Sequence, residues 1–449
     1  MLAISKKKAV LASKNAARRS KAYQQLLQEE NIAPEHLGQQ MDWNLLPVLT
    51  KHNTFERFSL SELSRPLPAN ELADVLTSSG RGGRSFGYRL TARKQHHDAW
   101  FDIDLGLQDV FGVDQKTTLL VNCLPMGVVF PSRAVTVANV SVREDMACSI
   151  LRDVGPRFEQ TLLCTDPMFI RRILDEARAA GVDWPALNTS VILGEEMLVE
   201  AQRDYLAARM GINIDQDPSR LIGSSFGVGE LGLNLLFETR ETIRLRRAMR
   251  ADPELFSLLC GSSANGSMPS VFCYNPLRTY IEILDAGPDG FGELCITMLD
   301  KHAVIPLPRY TTGDLGRLVS QAELKQAHQT TGAALPWLPV IAVKGRIKDR
   351  VIGMPSVETI KEVLYSDHAI ADHLTGAFRL STPDSGGIVL SLQANTNSAA
   401  GSPELVARLE ELLGRHELAH LRLEVFGPTA FPWRPVLDFE RKFAYLSAA

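Results

Sequence analysis

Short apolar runs alternate with amphipathic stretches along most of the chain. Residues 118–123 and 190–193 are apolar and rich in β-branched side chains, which is typical of buried strands. Residues 167–181 have apolar residues at helical spacing, with proline near the start and glycine at the end. Residues 196–210 repeat this helical pattern and stop before Gly211. The alternation predicts an α/β fold.

The pattern changes in the last part of the chain. Residues 280–299 predict two strands that are split by a turn rich in Gly, Pro and Asp. From residue 350 onward the pattern gives a helix, a strand, a helix and a strand, near residues 356–365, 387–392, 403–413 and 421–426. We therefore predict a large α/β domain of several subdomains over residues 1–345 and a small α+β domain over residues 346–449.

Composition narrows the class of protein. The chain has 449 residues, of which 45% are hydrophobic and 22% charged, and these values are typical of a globular protein. The net charge of −4 gives no positive field of the kind a dedicated nucleic-acid binder uses. No apolar run reaches the roughly 20 residues of a membrane helix. Six cysteines without a C-x-x-C pair argue against a disulfide scaffold, so we expect a cytoplasmic protein.

The first 28 residues carry seven basic residues and no acidic residue. Mitochondrial transit peptides have this composition, and so do the first turns of many ordinary helices. We favour a helix from about Ala12 to Glu29 with a solvated basic face, and keep import into mitochondria as the alternative.

Two short motifs point to other enzyme classes. Gly227, Gly229 and Gly232 match the G-x-G-x-x-G pattern of dinucleotide-binding folds, but no clean apolar strand leads into them and no acidic residue follows at the expected distance. His416 and His420 belong to the H-E-x-x-H match HELAH, which on a helix could bind zinc. A strand pattern starts directly after His420, so HELAH is expected to straddle a helix end. Both functions are therefore remote alternatives.

A loop rich in glycine and hydroxyl groups offers a third kind of chemistry. Residues 77–85, with the sequence TSSGRGGRS, follow an apolar stretch and precede a strand-like segment. Such a loop can direct backbone N–H groups toward phosphate oxygens while arginine supplies positive charge. The loop lacks the G-K-[ST] of a Walker motif, so by itself it predicts either phosphate binding or a flexible turn.

The loop is one of a series of segments that occur in a fixed order. They are LPVLTK (46–51), TSSGRGGRS (77–85), ILGEEM (192–197), SFGVGE (225–230), PRYTTGDL (308–315), KGRIKDRVI (344–352) and ERK (440–442). In this order the chain resembles the adenylate-forming superfamily, which includes acyl-CoA synthetases and firefly luciferase. Within that superfamily it is most similar to the phenylacetate-CoA ligase branch, and the resemblance extends over nearly the whole chain.

The resemblance implies a binding site for ATP or AMP. Its residues would be Thr77, Ser78, Ser79, Gly80, Arg81, Gly83, Arg84, Gly194, Glu195, Glu196, Ser225, Phe226, Gly227, Asp314 and Arg346. Among these, Asp314 would accept hydrogen bonds from both ribose hydroxyls, Arg346 would lie near the ribose and phosphates, and Phe226 would stack on adenine. Glu195 and Glu196, with Gly194 before them, would border adenine and the substrate.

The resemblance also implies three catalytic residues and a hinge. Glu230 would help hold Mg²⁺ on the phosphates, and Arg346 would act near the ribose and the phosphates. Lys442 would stabilise charge at the α-phosphate, with its neighbour Arg441 as a rival for this role. Lys348 matches the hinge about which a small mobile C-terminal domain swings between two half-reactions.

The implied activity is that of an ATP-dependent acid ligase. A carboxylic acid, aromatic or of medium chain length by analogy with the branch, is adenylated to acyl-AMP, and the acyl group passes to coenzyme A, a carrier-protein phosphopantetheine or an amine. The acid pocket is expected among residues 121–131, 166–170 and 222–226. Arg81 and Gly82 replace the paired threonines usual in the phosphate loop. A non-catalytic nucleotide- or acyl-binding relative, or a ligase for an unusual non-carboxylic acid, therefore remains an alternative.

Overall fold

The computed structural model describes residues 1–37, 42–78, 86–125, 127–261, 268–351, 353–384, 386–396, 401–434 and 437–446. Over these residues the α-helices are α1 (Leu2–Arg19), α2 (Lys21–Glu29), α3 (Leu60–Leu63), α4 (Arg93–Asp98), α5 (Trp100–Phe111), α6 (Glu144–Asp153), α7 (Phe169–Ala180), α8 (Glu200–Met210), α9 (Arg240–Ala251), α10 (Pro253–Cys260), α11 (Gln321–Thr331), α12 (Val357–Ser366), α13 (His368–Asp372) and α14 (Pro403–Arg415).

The strands are β1 (Leu72–Thr77), β2 (Tyr88–Ala92), β3 (Thr118–Asn122), β4 (Thr136–Asn139), β5 (Gln160–Thr165), β6 (Thr189–Leu193), β7 (Ile222–Val228), β8 (Gly232–Phe237), β9 (Ser270–Tyr274), β10 (Thr279–Leu284), β11 (Gly292–Met298), β12 (Tyr310–Val319), β13 (Val340–Arg346), β14 (Leu374–Ser381), β15 (Ile388–Ala394) and β16 (Leu421–Phe426). The chain divides into two compact units, each made of two segments. Unit 1 is Met1–Val110 with Ser225–Ile347, and unit 2 is Phe111–Ser224 with Lys348–Ala449.

The N-terminal helices form part of the core of unit 1. Helix α1 buries small residues such as Ala9 and Ala16, whereas α2 buries Tyr23 and Leu27. The sequence predicted one helix starting near Ala12, but two are present, because the Ser20 side chain accepts a hydrogen bond from the Tyr23 N–H and caps a second helix.

Antiparallel pairing dominates unit 1. Its sheet has the order β10-β11-β12-β13-β9-β8-β7, and every neighbouring pair in it is antiparallel. Strands β1 and β2 form a separate antiparallel pair. The L-P-x-x-T-K segment bridges to β12, because the Leu49 N–H donates to the Arg309 carbonyl at 2.8 Å and the Thr311 N–H donates to the Leu49 carbonyl at 2.8 Å.

Parallel pairing dominates the first segment of unit 2. The order is β7-β6-β5-β3-β4, and only the first three residues of β7, Ile222–Ser224, take part. Helix α7 ends at Gly181, which has a φ of 72° as a left-handed cap. Helix α8 starts at Glu200 rather than at the predicted Glu196. The N-cap residue Val199 is extended, with φ and ψ of −96° and 158°, so residues 196–199 form a loop before the helix.

The second segment of unit 2 is the predicted small α+β domain. Strands β14 and β15 are antiparallel, β15 and β16 are parallel, and the helices α12, α13 and α14 accompany this sheet. Its core contains Phe378 and Leu409 and extends to Phe443 and Tyr445 near the end of the described chain. The mixed α/β fold with a large sheet and a separate small C-terminal domain is thus confirmed. Within the described residues, no helix combines the length and apolar character needed to span a membrane.

Candidate functional site

The two most specific motifs meet on neighbouring strands of unit 1. Asp314 on β12 lies opposite Arg346 on β13, and the Arg346 Nε is 3.9 Å from the Asp314 Oδ1. Asp314 is buried, while Arg346 keeps 33% of its side chain exposed. Gly313 has a φ of 76°, which favours glycine, and a register shift follows Asp314. The result is a buried carboxylate with a partly exposed guanidinium beside it.

Glu230 lies where the ends of the predicted phosphate loop meet. The Ser78 N–H donates to the Gly87 carbonyl at 2.9 Å, and the Gly87 N–H donates to the Ser78 Oγ at 2.9 Å, so the two residues close the loop. A β-carbon at Gly87 would lie 2.1 Å from the Glu230 Oε1, and one at Gly229 would lie 2.8 Å from the Ser78 Cα. Both glycines are therefore needed for this close packing, which buries the Glu230 carboxylate beside the loop ends.

A carboxylate in this position fits magnesium bound chiefly through substrate phosphates. Mg²⁺ commonly takes only one or two carboxylates and completes its shell with waters and phosphate oxygens. Among the described residues, no three His, Cys, Asp or Glu side chains are grouped closely enough to hold a metal by themselves. Glu230 would be one of the ligands of such a magnesium ion. Burial raises the pKa of the nearby Tyr310, and the negative charge of Glu230 raises it further.

Three further predicted site residues of unit 1, Ser225, Phe226 and Gly227, lie on the β7–β8 hairpin. The Ser225 Oγ donates to the Asn234 Oδ1 at 2.9 Å, and Phe226 is partly buried against the core. A β-carbon at Gly227 would lie 3.0 Å from the Leu233 Cα. The G-x-G-x-x-G match thus occupies an antiparallel hairpin rather than a strand-to-helix turn, which removes the geometric basis for dinucleotide binding.

Several predicted residues fall outside the described part of the chain. Of the phosphate loop, Thr77 ends β1 and Ser78 follows it. The other predicted loop residues, Ser79, Gly80, Arg81, Gly83 and Arg84, are not among the described residues, and neither is Gly82.

In unit 2 the predicted lysine contacts a predicted glutamate. The Lys442 Nζ lies 2.7 Å from the Glu195 Oε2 and donates to the Glu195 carbonyl at 3.2 Å. The rival Arg441 instead makes an exposed ion pair with Asp438. Gly194 precedes this contact at the carboxyl end of β6, and its N–H donates to the Thr165 carbonyl. The structure therefore places Lys442, and not Arg441, at the Glu195 turn.

Glu196 is held by two residues that the sequence interpretation missed. The Lys361 Nζ lies 2.6 Å from the Glu196 Oε2, and the Tyr445 hydroxyl donates to the same oxygen at 2.8 Å. Burial and the nearby Glu196 carboxylate raise the pKa of Tyr445 well above its usual value. A lysine on an amphipathic helix ordinarily faces solvent, so nothing in the sequence marked Lys361 as an internal partner.

Asp166 lines the same small cavity as Glu195, Glu196 and Lys442, with a volume of about 30 Å³. Its Oδ1 accepts the N–H groups of Met168 and Phe169 at 2.8 and 3.0 Å, whereas among the described residues its buried Oδ2 has no hydrogen-bond partner. Burial, with repulsion from Glu196 and Glu195, raises the pKa of Asp166 to about 7. It lies in residues 166–170, which we assigned to the acid pocket from the sequence.

The HELAH residues form the end of a helix. His416 caps α14, and Glu417 has a φ of 61°. The Leu418 N–H donates to the Leu413 carbonyl at 2.9 Å, and this bond together with the left-handed Glu417 ends the helix. The motif straddles the helix terminus as expected. The two histidines therefore do not share a helical face, and the zinc-peptidase alternative loses its geometric basis.

Solved structures resemble this architecture over most of the chain. A structure of 2-hydroxyisobutyryl-CoA ligase in the postadenylation state, in complex with R3-HIB-AMP, matches with a TM-score of 0.67 and 12% identity, covering 98% of this chain and 88% of that one. The chain has the fold of the adenylate-forming ligases. An anthranilate CoA ligase in complex with anthranoyl-AMP also shares this ligase fold, with a TM-score of 0.53 and 13% identity over 83% of this chain and 66% of that one.

Fatty acyl-adenylate ligases from E. coli and L. pneumophila show the same ligase fold. One of these matches with a TM-score of 0.51 and 15% identity, covering 88% of this chain and 72% of that one. In sequence, no family model and no curated protein matches the chain. The similarity is therefore one of fold, and the fold expected from the motif order is confirmed.

Proposed function

We propose that the chain is an ATP- and magnesium-dependent ligase that adenylates a carboxylic acid and transfers the acyl group to a thiol or an amine. The observation that carries this proposal is the cross-strand pair of Asp314 and Arg346. A buried carboxylate is suited to accept hydrogen bonds from two neighbouring ribose hydroxyls, and a partly exposed guanidinium is suited to contact phosphate. The ligase fold agrees with this chemistry.

The proposed reaction has two displacement steps. A carboxylate oxygen of the acid forms a bond to the α-phosphorus of ATP, the bond from that phosphorus to the bridging oxygen breaks, and pyrophosphate leaves. The acceptor sulfur or nitrogen then bonds to the acyl carbon, AMP leaves with the former carboxylate oxygen, and the acceptor proton passes to solvent. The chain forms no covalent bond to the substrate and acts by positioning and by charge stabilisation.

Each candidate residue has a defined task in this proposal. Lys442 stabilises the charge that develops at the α-phosphate, and Glu230 would help hold magnesium on the phosphates. Magnesium, when bound, neutralises phosphate charge. Phe226 offers an apolar ring face to adenine. The loop that starts at Thr77 and Ser78 binds the leaving pyrophosphate through its backbone N–H groups.

The substrate is proposed by analogy. The similar structures carry the names of a hydroxy acid, an aromatic amino acid and fatty acids, so we propose an aromatic or medium-chain acid of the phenylacetate-CoA ligase type. The acceptor is coenzyme A, a carrier-protein phosphopantetheine or an amine. We further propose a cytoplasmic enzyme whose small domain, residues 346–449, swings about Lys348 against the large domain, residues 1–345.

The test is ATP–pyrophosphate exchange across a panel of aryl, fatty, hydroxy and amino acids. We expect one acid class to stimulate exchange, and Asp314→Ala to lower it by at least about 100-fold, because the ribose hydroxyls lose their buried hydrogen-bond acceptor. The matched control is Glu323→Gln. It removes the 2.5 Å ion pair of Arg317 farther along β12 and leaves the Asp314 pair untouched. ATP binding without exchange for any acid would overturn the proposal in favour of a non-catalytic binder.

A further inference from the structure

The ammonium group of Lys442 makes two polar contacts with one residue near the carboxyl end of β6. It carries three N–H donors, and two of them are taken by the carboxylate and the carbonyl of a single residue, Glu195. The exposed side-chain fractions are 18% for Lys442 and 13% for Glu195, so water competes little for this contact. Charge-assisted bonds of this kind are stronger than those between neutral groups.

The backbone at Glu195 adopts a conformation that glutamate disfavours. Its φ of 72° is left-handed, and the Glu196 N–H donates back to the Gly194 carbonyl at 2.9 Å in a tight turn. Glycine would adopt this turn at lower cost. A glutamate here therefore points to a function for its side chain, since strained conformations are concentrated at functional positions.

The segment that carries Lys442 is anchored on both sides. Tyr445 and Lys361 bind the Glu196 carboxylate, as described above. Three residues before Lys442, the ring of Phe439 packs 5.1 Å from that of Phe169. These contacts fix the backbone of the segment, and the Glu195 contact fixes the end of the lysine side chain.

We propose that Glu195 is a positioning residue that fixes the ammonium of Lys442 through two of its hydrogen bonds and leaves the third N–H for a substrate oxygen in the adenylation step. This inference rests on the proposed function. It gives Glu195 a role other than bordering adenine, which the sequence resemblance implied. The pairing itself can be tested without any enzyme activity.

The first test measures the reactivity of the Lys442 amine toward an acylating reagent, by mass spectrometry of the full chain. We expect Glu195→Gln to raise the labelling rate of Lys442 about tenfold, because a charge-assisted contact is lost. The matched control Glu144→Gln removes an exposed ion pair with Arg172 in the same unit and should leave that rate unchanged. Glu195→Gly serves as a second variant, since glycine relieves the positive φ and favours folding.

The second test measures ATP–pyrophosphate exchange with the best acid. Glu195→Gln should lower kcat about tenfold and leave KM for ATP unchanged, and it should have no further effect in a Lys442→Ala background, because paired residues are not additive. Unchanged labelling, or additive effects, would overturn the proposal. If wild-type chain shows no exchange but labelling rises as expected, the pairing is confirmed, while the proposed function and the positioning role fail.

Discussion

The packing of Gly87 against Glu230 allows the proposed magnesium ligand to be moved while its carboxylate is kept. We predict that Gly87→Ala moves Glu230, because an ideal β-carbon built at residue 87 lies 2.1, 2.3 and 2.5 Å from the Oε1, Cγ and Cδ of Glu230. Ordinary van der Waals contact begins at 3.4 Å, so Oε1 must retreat by 3.4 − 2.1 = 1.3 Å. Glu230 is only 8% exposed and has little free space into which it can shift.

Two effects of different size follow from this displacement. Overpacking of one methyl group destabilises a well-packed region by about 1–3 kcal/mol. Misplacing a catalytic group by about 1 Å costs roughly 100-fold in rate. We therefore expect Gly87→Ala to remain folded at 25 °C, with a lower midpoint of thermal unfolding, and to lose about 100-fold in magnesium-dependent ATP–pyrophosphate exchange.

The control is the same substitution where space is open. Gly414 lies in α14 with no heavy atom within 4 Å of a β-carbon, so Gly414→Ala should leave exchange unchanged and stabilise the fold by about 0.4–1 kcal/mol. The double variant Gly87→Ala/Glu230→Ala should regain thermal stability but not exchange, since the overlap is removed together with the carboxylate. Wild-type exchange in Gly87→Ala would refute both the displacement and the magnesium role of Glu230.

Two further predictions concern unit 2. Because the pKa of Asp166 is raised to about 7 from an ordinary 3.8, its protonated form stabilises the fold below about pH 4, and this contribution is lost as the pH rises through 7. Asp166→Asn retains the acceptor for the Met168 and Phe169 N–H groups. In urea, this variant should therefore unfold at a higher midpoint concentration than wild type at pH 8 and at a similar one at pH 4. A lower midpoint than wild type at pH 8 would contradict the raised pKa. Glu417→Gly should stabilise the fold by about 1 kcal/mol in thermal unfolding, because the φ of 61° at this position favours glycine. Loss of a zinc-dependent activity in this variant would instead support the zinc-peptidase interpretation of HELAH.

Helix ends were predicted correctly from the sequence where a single glycine terminates the helix. Gly181 and Gly211 close α7 and α8 in the left-handed conformation, as their positions in the sequence indicated. The predicted start of α8 was wrong, because helical periodicity does not show that Val199 is extended and that the helix begins only after it. The break at Ser20 was missed for a similar reason, since one serine interrupts a pattern that is helical on both sides.

The candidate site was predicted from the order of its motifs rather than from geometry. Asp314 and Arg346 could be named from their motifs, but their direct opposition depends on the register of β12 and β13, which a bulge sets. The contact of Lys361 with Glu196 spans 165 residues and depends on tertiary packing alone. A sequence pattern carries no information about such a partner.

The discontinuity of unit 1 has a consequence for the nascent chain. Its first segment ends at residue 110, yet Leu49 forms its bridge with Tyr310 through the Arg309 carbonyl and the Thr311 N–H. The interval from residue 110 to residue 311 is 311 − 110 = 201 residues, which a ribosome translating about 5–20 residues per second needs roughly 10–40 s to make. During that time α1 lacks strands β10 and β11, against which it packs. The N-terminal segment is therefore the part of a growing chain that chaperones would be expected to shield longest.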